Sequence, residues 1–132
     1  MQKAFNFLLI IFLVNVASFY FDWYLKYFWF NMVLHFLGGF FMAMLMANYL
    51  KENISSGSKI KNMLVILGAT IFVGVVWEFA EYIANQTLAE PVYKYFQTRV
   101  YFMGDLDDTV NDLFMDLMGA LSFVFVYKNK LR

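Results

Sequence analysis

Cysteine is absent from this chain, which excludes a disulfide framework, a thiolate metal site and a cysteine nucleophile. The absence leaves the compartment open. Proline occurs once, at Pro91, and histidine once, at His35, so any mechanism that needs two histidines is out of reach. There is no glycine-rich phosphate loop and no Ser/His/Asp set with persuasive spacing. The formal net charge is zero, which gives no electrostatic reason to expect nucleic acid as a partner. The most informative lack is of cations: four long apolar stretches run through the chain, and none contains Lys or Arg.

What is present is hydrophobic. Of 132 residues, 62% are hydrophobic and 22% aromatic, above the proportion of a soluble domain. The expected fold is all-α, a polytopic membrane protein with four transmembrane helices in a compact bundle, forming one transmembrane domain over residues 1–132. Spans are expected at about 4–21, 27–50, 62–83 and 108–127, each long enough to cross about 30 Å of hydrocarbon. Lys3 ahead of an apolar run also fits a signal peptide, but Asn15-Val16-Ala17-Ser18 is a poor cleavage site and the run is long.

Basic residues set the expected orientation. Lys3, Lys51, Lys59, Lys61, Lys128, Lys130 and Arg132 fall on one side of these spans, and Lys26, Lys94 and Arg99 on the other. The positive-inside bias places both termini in the cytoplasm. Ser55-Ser56-Gly57-Ser58 reads as a flexible polar connector. The long outer segment, 84–107, mixes Tyr93, Tyr95, Phe96, Tyr101 and Phe102 with Lys94 and Arg99, which suits a short interfacial helix or a lid. Trp23, Trp29 and Trp77 fall near the outer interface.

Two of the spans contain acids. Glu78 and Glu81 are expected in the last turn or two of the third, and Asp108, Asp112 and Asp116 in the first turns of the fourth. His35 lies in the outer half of the second, so three helices put ionisable groups at one depth. Their faces agree as well. Asn31, His35, Gly39, Ala43 and Ala47 recur every four residues, as do Thr70, Gly74, Glu78 and Tyr82, and Asp108, Asp112, Asp116 and Ala120. Small residues repeated at that spacing mark faces where membrane helices approach closely, so these rows are expected to point inward.

A charged residue at the bilayer centre costs about 2.5–3.5 kcal/mol on insertion scales, so four acids together approach about 10 kcal/mol. Three remedies exist. Some carboxylates keep their protons, Arg99 or Lys94 folds over the site, or a divalent cation binds. Oxygen-rich ligation favours Mg²⁺, Mn²⁺ or Ca²⁺, and one imidazole admits Zn²⁺ or Fe²⁺. The candidate ligands are His35, Glu78, Asp112 and Asp116. Glu81 and His35 are candidate proton shuttles, and Arg99, Lys94 and Asp108 candidate substrate contacts. Several of these have ordinary explanations too. His35 and Asn15 suit interhelical hydrogen bonds, Glu81 a solvated helix end, and Asp108 a helix N-cap. Glu78, Asp112 and Asp116 have no comparably ordinary role.

The motifs His35-Phe36-x-x-Gly39-Phe40, Trp77-Glu78-x-x-Glu81-Tyr82 and Gly104-Asp105-x-x-Asp108-Thr109-x-x-Asp112, with Gly119-Ala120 behind, resemble the YjdF-type inner-membrane proteins. That bacterial family of unknown function is distantly similar to VanZ-like proteins, which are associated with glycopeptide-antibiotic tolerance at the cell envelope. The resemblance covers about residues 30–122. It implies a multi-pass protein of the bacterial cytoplasmic membrane and no particular reaction. Gly104-x3-Asp108-x3-Asp112 is also similar to the end of the CDP-alcohol phosphotransferase motif, whose upstream half is missing here.

Three functions follow from these residues. One is an enzyme or binding protein for a lipid-linked or phosphate-bearing envelope amphiphile, acting through a bound divalent cation. Another is a proton or ion pathway, against which the inner half offers little beyond Thr70, Ser122 and Asn48. The third is an assembly module whose polar cluster specifies helix packing, with a second copy of the chain as one potential partner.

Overall fold

The computed structural model describes residues 1–21, 23–52 and 58–127. Among them the backbone forms helices only: α1 (Gln2–Tyr20), α2 (Trp23–Lys26), α3 (Phe28–Tyr49), α4 (Lys59–Thr87), α5 (Ala89–Phe96) and α6 (Leu106–Tyr127). Four of them, α1, α3, α4 and α6, are long and apolar enough to cross a membrane. The polar connector at Ser55, Ser56 and Gly57 and the basic tail at Lys128, Lys130 and Arg132 lie outside the described residues.

Local chemistry explains the ends of these helices. Ser58 caps α4, its Oγ accepting from the Lys61 N–H at 3.4 Å. At its other end α4 runs past the expected limit of residue 83 to Thr87. Its polar last turn is satisfied there. The Thr87 hydroxyl donates to the Ile83 carbonyl at 2.7 Å, and Asn85 Oδ1 accepts from the Phe102 N–H at 3.3 Å. Pro91 sits in the first turn of α5, where its missing N–H is harmless. Gln97 ends that helix in the left-handed region at φ 55°. The short helix expected in the outer segment is therefore present.

The bundle is organised around α3 and α6, which share the most extensive contact. A Cβ on Gly39 would strike the Asp116 carbonyl, and one on Gly119 would strike the Phe36 carbonyl. The two backbones thus touch through reciprocal glycines, as the small-residue rows predict. Helix α4 packs on both α3 and α6, whereas α1 packs on α3 and makes no close backbone approach to α4 or α6. Ala43, Ile66, Ala120, Phe123 and Val124 form the buried apolar core toward one end, with Phe40 edge-on to Phe123 at 5.6 Å.

Large side chains point outward. Phe72, Phe79 and Phe125 are 68%, 63% and 71% exposed. In water such surface would be an association hazard; against lipid tails it is matched to its surroundings. Aromatic rings gather at the end opposite the apolar core. Phe21, Trp23 and Phe30 contact in series at 5.4 and 5.6 Å, and Phe19 of α1 meets Phe102 of the outer segment at 5.1 Å. These rings, with Trp29 beside Phe30, suit a membrane–water interface.

Candidate metal centre

At 1.5 Å per residue, His35 stands about 10 Å inside the start of α3, Asp112 about 9 Å and Asp116 about 15 Å inside the start of α6, and Glu78 about 13 Å inside the end of α4. All four start from the end of the bundle that holds α2 and α5. The agreement in depth expected from the sequence is therefore realised, and deeper than a last turn for Glu78, because α4 continues to Thr87.

The Gly39–Gly119 crossing brings His35 between two acids. His35 Nε2 lies 3.4 Å from Asp112 Oδ2, and Nδ1 lies 3.4 Å from Asp116 Oδ1. Asn31, one turn before His35, donates its amide to both Asp112 oxygens at 2.8 and 2.7 Å. Helix α4 adds Glu78. Side-chain ligand atoms of His35, Glu78 and Asp112 all lie within 4.8 Å of one another. The four ionisable residues are 94–98% buried, with exposures of 6% (His35), 5% (Glu78), 2% (Asp112) and 6% (Asp116).

One atom stands apart. Thr109 approaches the Glu78 carboxyl, yet neither Glu78 Oε1 nor Thr109 Oγ1 completes a hydrogen bond of sound geometry. An unsatisfied buried carboxylate oxygen is costly, and most buried polar atoms in folded proteins are paired. Asp112 is held by Asn31, and Asp116 faces the imidazole. The Glu78 carboxyl joins the same cluster as His35 and Asp112.

Of the other expected residues, Glu81 accepts the Trp77 indole N–H at 2.8 Å, so it is anchored within its own helix. Asp108 is not the N-cap of α6. Asp105 fills that position, its Oδ1 accepting the Asp108 N–H at 3.0 Å, while Asp108 Oδ2 accepts the Gly104 N–H at 3.2 Å. The helix starts two residues earlier than its apolar pattern suggests because this reciprocal pair satisfies the first donors. Lys94 and Arg99 are not brought to the cluster. Both are exposed, the Arg99 guanidinium lies over the Tyr93 ring at 5.8 Å from its centre, and neither pairs with Glu78, Asp112 or Asp116. Asn31 was visible in its four-residue row as a member of the inward face, but its role as donor to Asp112 required the partner helix.

Beside the cluster lies a cavity of about 210 Å³ between α1, α3 and α4, with Asp116 of α6 in its wall. Leu8, Ile11, Leu34, Met42 and Val73 make it largely apolar, and Asn15, His35 and Trp77 line it as well. Asn15 therefore faces a cavity, and among the described residues its side chain forms no interhelical hydrogen bond. Trp77 is part of this wall rather than of the interfacial ring belt, since it stands ten residues inside α4 and meets Phe12 edge-on at 6.1 Å. Three polar residues toward the opposite end turn back on their own helices. Thr70 donates to Ile66, Ser122 to Met118 and Asn48 to Met44, at 2.8, 2.8 and 2.6 Å.

Fold and site together define an all-helical membrane protein with four candidate spans and a buried His/carboxylate cluster shared by three of them. The chain belongs to the family described as "Predicted membrane protein (DUF2238)", which matches residues 2–131. An "Uncharacterized protein" of Thermotoga maritima is 29% identical over 124 residues, covering 91% of this chain and 59% of the relative. The chain thus spans about three fifths of that relative's length. No solved structure matches.

Proposed function

We propose that this chain is a multi-pass protein of the bacterial cytoplasmic membrane that binds a divalent cation between His35, Glu78 and Asp112, and through it binds or acts on a phosphate-bearing amphiphile of the cell envelope. The observation behind this reading is Glu78, whose Oε1 completes no hydrogen bond and whose carboxyl joins His35 and Asp112 in a cluster that, among the described residues, no Lys or Arg neutralises. Ligand atoms within 4.8 Å of one another suit a Ca²⁺ ion, at about 2.3–2.6 Å from its oxygens, or a smaller ion such as Mg²⁺, at about 2.0–2.1 Å. Asp116 takes a supporting part. By accepting a proton-bearing Nδ1 it would leave Nε2 free as a ligand, the arrangement in which a carboxylate orients a metal-bound imidazole.

When bound, the ion would neutralise phosphate charge. Lys94 and Arg99 supply positive charge in the outer segment, where an arriving phosphate headgroup would meet them first. Glu81 and His35 are the groups available to move a proton. Termini in the cytoplasm and the VanZ-like likeness belong to the same proposal. Metal analysis of the purified protein tests it. Wild type is expected to retain Mn²⁺ or Ca²⁺ through gel filtration and Asp112→Ala to lose it, and equal metal content in the two overturns the reading.

A second reading has its own support. Asn31, His35, Asp112 and Asp116 pair across the α3–α6 crossing, so the cluster can also serve to specify packing. It predicts that Asp112→Asn/Asp116→Asn folds as wild type does and retains whatever metal the wild type holds. A proton pathway is the least supported, because Thr70, Ser122 and Asn48 beyond the cluster are each bonded to their own helix.

A further inference from the structure

The cavity beside the cluster is graded. Asn15, His35 and Trp77 stand toward the end nearest α2 and α5, with Asp116 about a turn further in, and Leu8, Met42 and Thr70 toward the other. Thr70 is committed to the Ile66 carbonyl and offers the cavity no donor. From Asn15 to Leu8 and from His35 to Met42 the helices rise about 10 Å, so the space is an elongated slot along the bilayer normal. Its volume of about 210 Å³ is below the roughly 300–1,000 Å³ of pockets that enclose a whole drug-sized ligand. It suits part of a chain. One side is closed only by side chains: α1 and α4 do not approach at the backbone, and Phe12 and Trp77 bridge them at 6.1 Å. That side faces lipid, since Leu13 and Val16 beside Phe12 and Val76 beside Trp77 are exposed apolar residues.

We infer that the slot lodges a segment of the hydrocarbon chain of a membrane amphiphile, which enters from the bilayer between α1 and α4 past the Phe12–Trp77 pair. The polar end of the ligand rests against Asn15 and His35, and its chain runs toward Met42 and Leu8. This deepens the proposed function and rests on it only for the identity of the headgroup. Asn15, otherwise a polar side chain without a partner helix, becomes the contact opposite His35.

The test uses the full chain in phosphatidylcholine nanodiscs, with Trp23→Phe and Trp29→Phe leaving Trp77 as the only tryptophan. The probe is a brominated dodecyl phosphate, whose bromine quenches indole fluorescence on contact, with inorganic phosphate as competitor. Saturable quenching that inorganic phosphate does not relieve is expected. Val73→Phe, which fills the slot from α4, is expected to remove the saturable component while Mn²⁺ binding stays as in the unplugged protein. Ile11→Phe, a plug from the opposite wall, provides the same reading should Val73→Phe unfold. Quenching that rises linearly with probe, or that survives both plugs, overturns the inference. Saturable quenching in a protein that binds no Mn²⁺ supports the slot and removes only the metal centre.

Discussion

The α3–α6 crossing can be tested by adding one methyl group. A Cβ at Gly119 would meet the Phe36 carbonyl oxygen, with Phe40 N at 2.8 Å and Phe36 C at 2.9 Å. All three atoms are backbone, so no side chain can rotate away. Restoring ordinary carbon contact, about 3.5–4.0 Å, requires the two helices to part by about 1.5–2 Å. Overpacking of this kind costs about 1–3 kcal/mol. The His35 contacts, both already at 3.4 Å, then lengthen beyond useful range, and loosening buried polar pairs adds about 1–3 kcal/mol. Alanine recovers about 1 kcal/mol of helix propensity. The net expectation for Gly119→Ala is a loss of about 1–5 kcal/mol. Gly68→Ala is the matched control, because a Cβ there meets nothing within 4 Å and should be neutral or stabilising by up to about 1 kcal/mol. Unfolding in mixed micelles by SDS titration, followed by tryptophan fluorescence, measures both. Gly119→Ala is expected to unfold at clearly lower SDS and to bind Mn²⁺ more weakly. If the two variants unfold together with wild type, the backbones do not touch at that point and the geometry of the cluster falls with the crossing.

Three further variants separate the parts of the site. Asp116→Asn should weaken Mn²⁺ binding about 10–100-fold without abolishing it if, as proposed, the residue orients the imidazole instead of ligating; complete loss, read by electron paramagnetic resonance titration, would make it a ligand. Asn31→Leu strips both hydrogen bonds from the Asp112 carboxylate and is expected to cost about 1.5–3 kcal/mol in the same SDS titration, with an unchanged midpoint showing that Asp112 is held by something else. Asp105→Ala removes the cap of α6 and should cost about 0.5–2 kcal/mol while leaving Mn²⁺ affinity at the wild-type value, because Asp105 is outside the cluster.

How much of this was legible in the sequence depended on whether the signal was periodic or relational. The four spans follow from apolar runs without cations, and the α3–α6 face from Asn31, His35 and Gly39 against Asp112, Asp116 and Ala120 at a spacing of four. Depth could be read too, since helix length fixes it once the ends are known. The ends themselves were less visible. Asp105 and Asp108 share a cap that either could hold alone, and only backbone geometry assigns Asp105 to the cap and Asp108 to Gly104. The polar turn at Asn85–Thr87 looks like a loop until Phe102 returns to bond Asn85. Trp77 shows the same limit. An aromatic in the outer half reads as an interfacial anchor, and its place in a cavity wall depends on Phe12, in a helix that sequence spacing cannot position. Lys94 and Arg99 were natural partners for buried acids by charge alone, but Lys94 is exposed on α5 itself and the Arg99 guanidinium lies over Tyr93 of that helix.

The packing and ligand readings overlap on α3 and α6 and part on α4. Asn31, His35, Asp112 and Asp116 leave one another few free valences, so a crossing that needed only specificity would be complete with those four. Gly39 and Gly119 already bring the backbones together without help from a third helix. Glu78 adds nothing to that crossing. It brings a further buried carboxyl group to a place that holds two, and its Oε1 gains no hydrogen bond there. A side chain of similar shape without the charge would pack against Thr109 at lower electrostatic cost. The carboxylate at Glu78 makes physical sense when a cation shares the cluster. Glu78→Gln is therefore the substitution on which the two readings disagree in sign: it should raise the stability of the metal-free protein and lower its affinity for Mn²⁺. If it lowers stability in chelator and leaves Mn²⁺ binding unchanged, Glu78 is a packing residue and the metal centre loses its third wall.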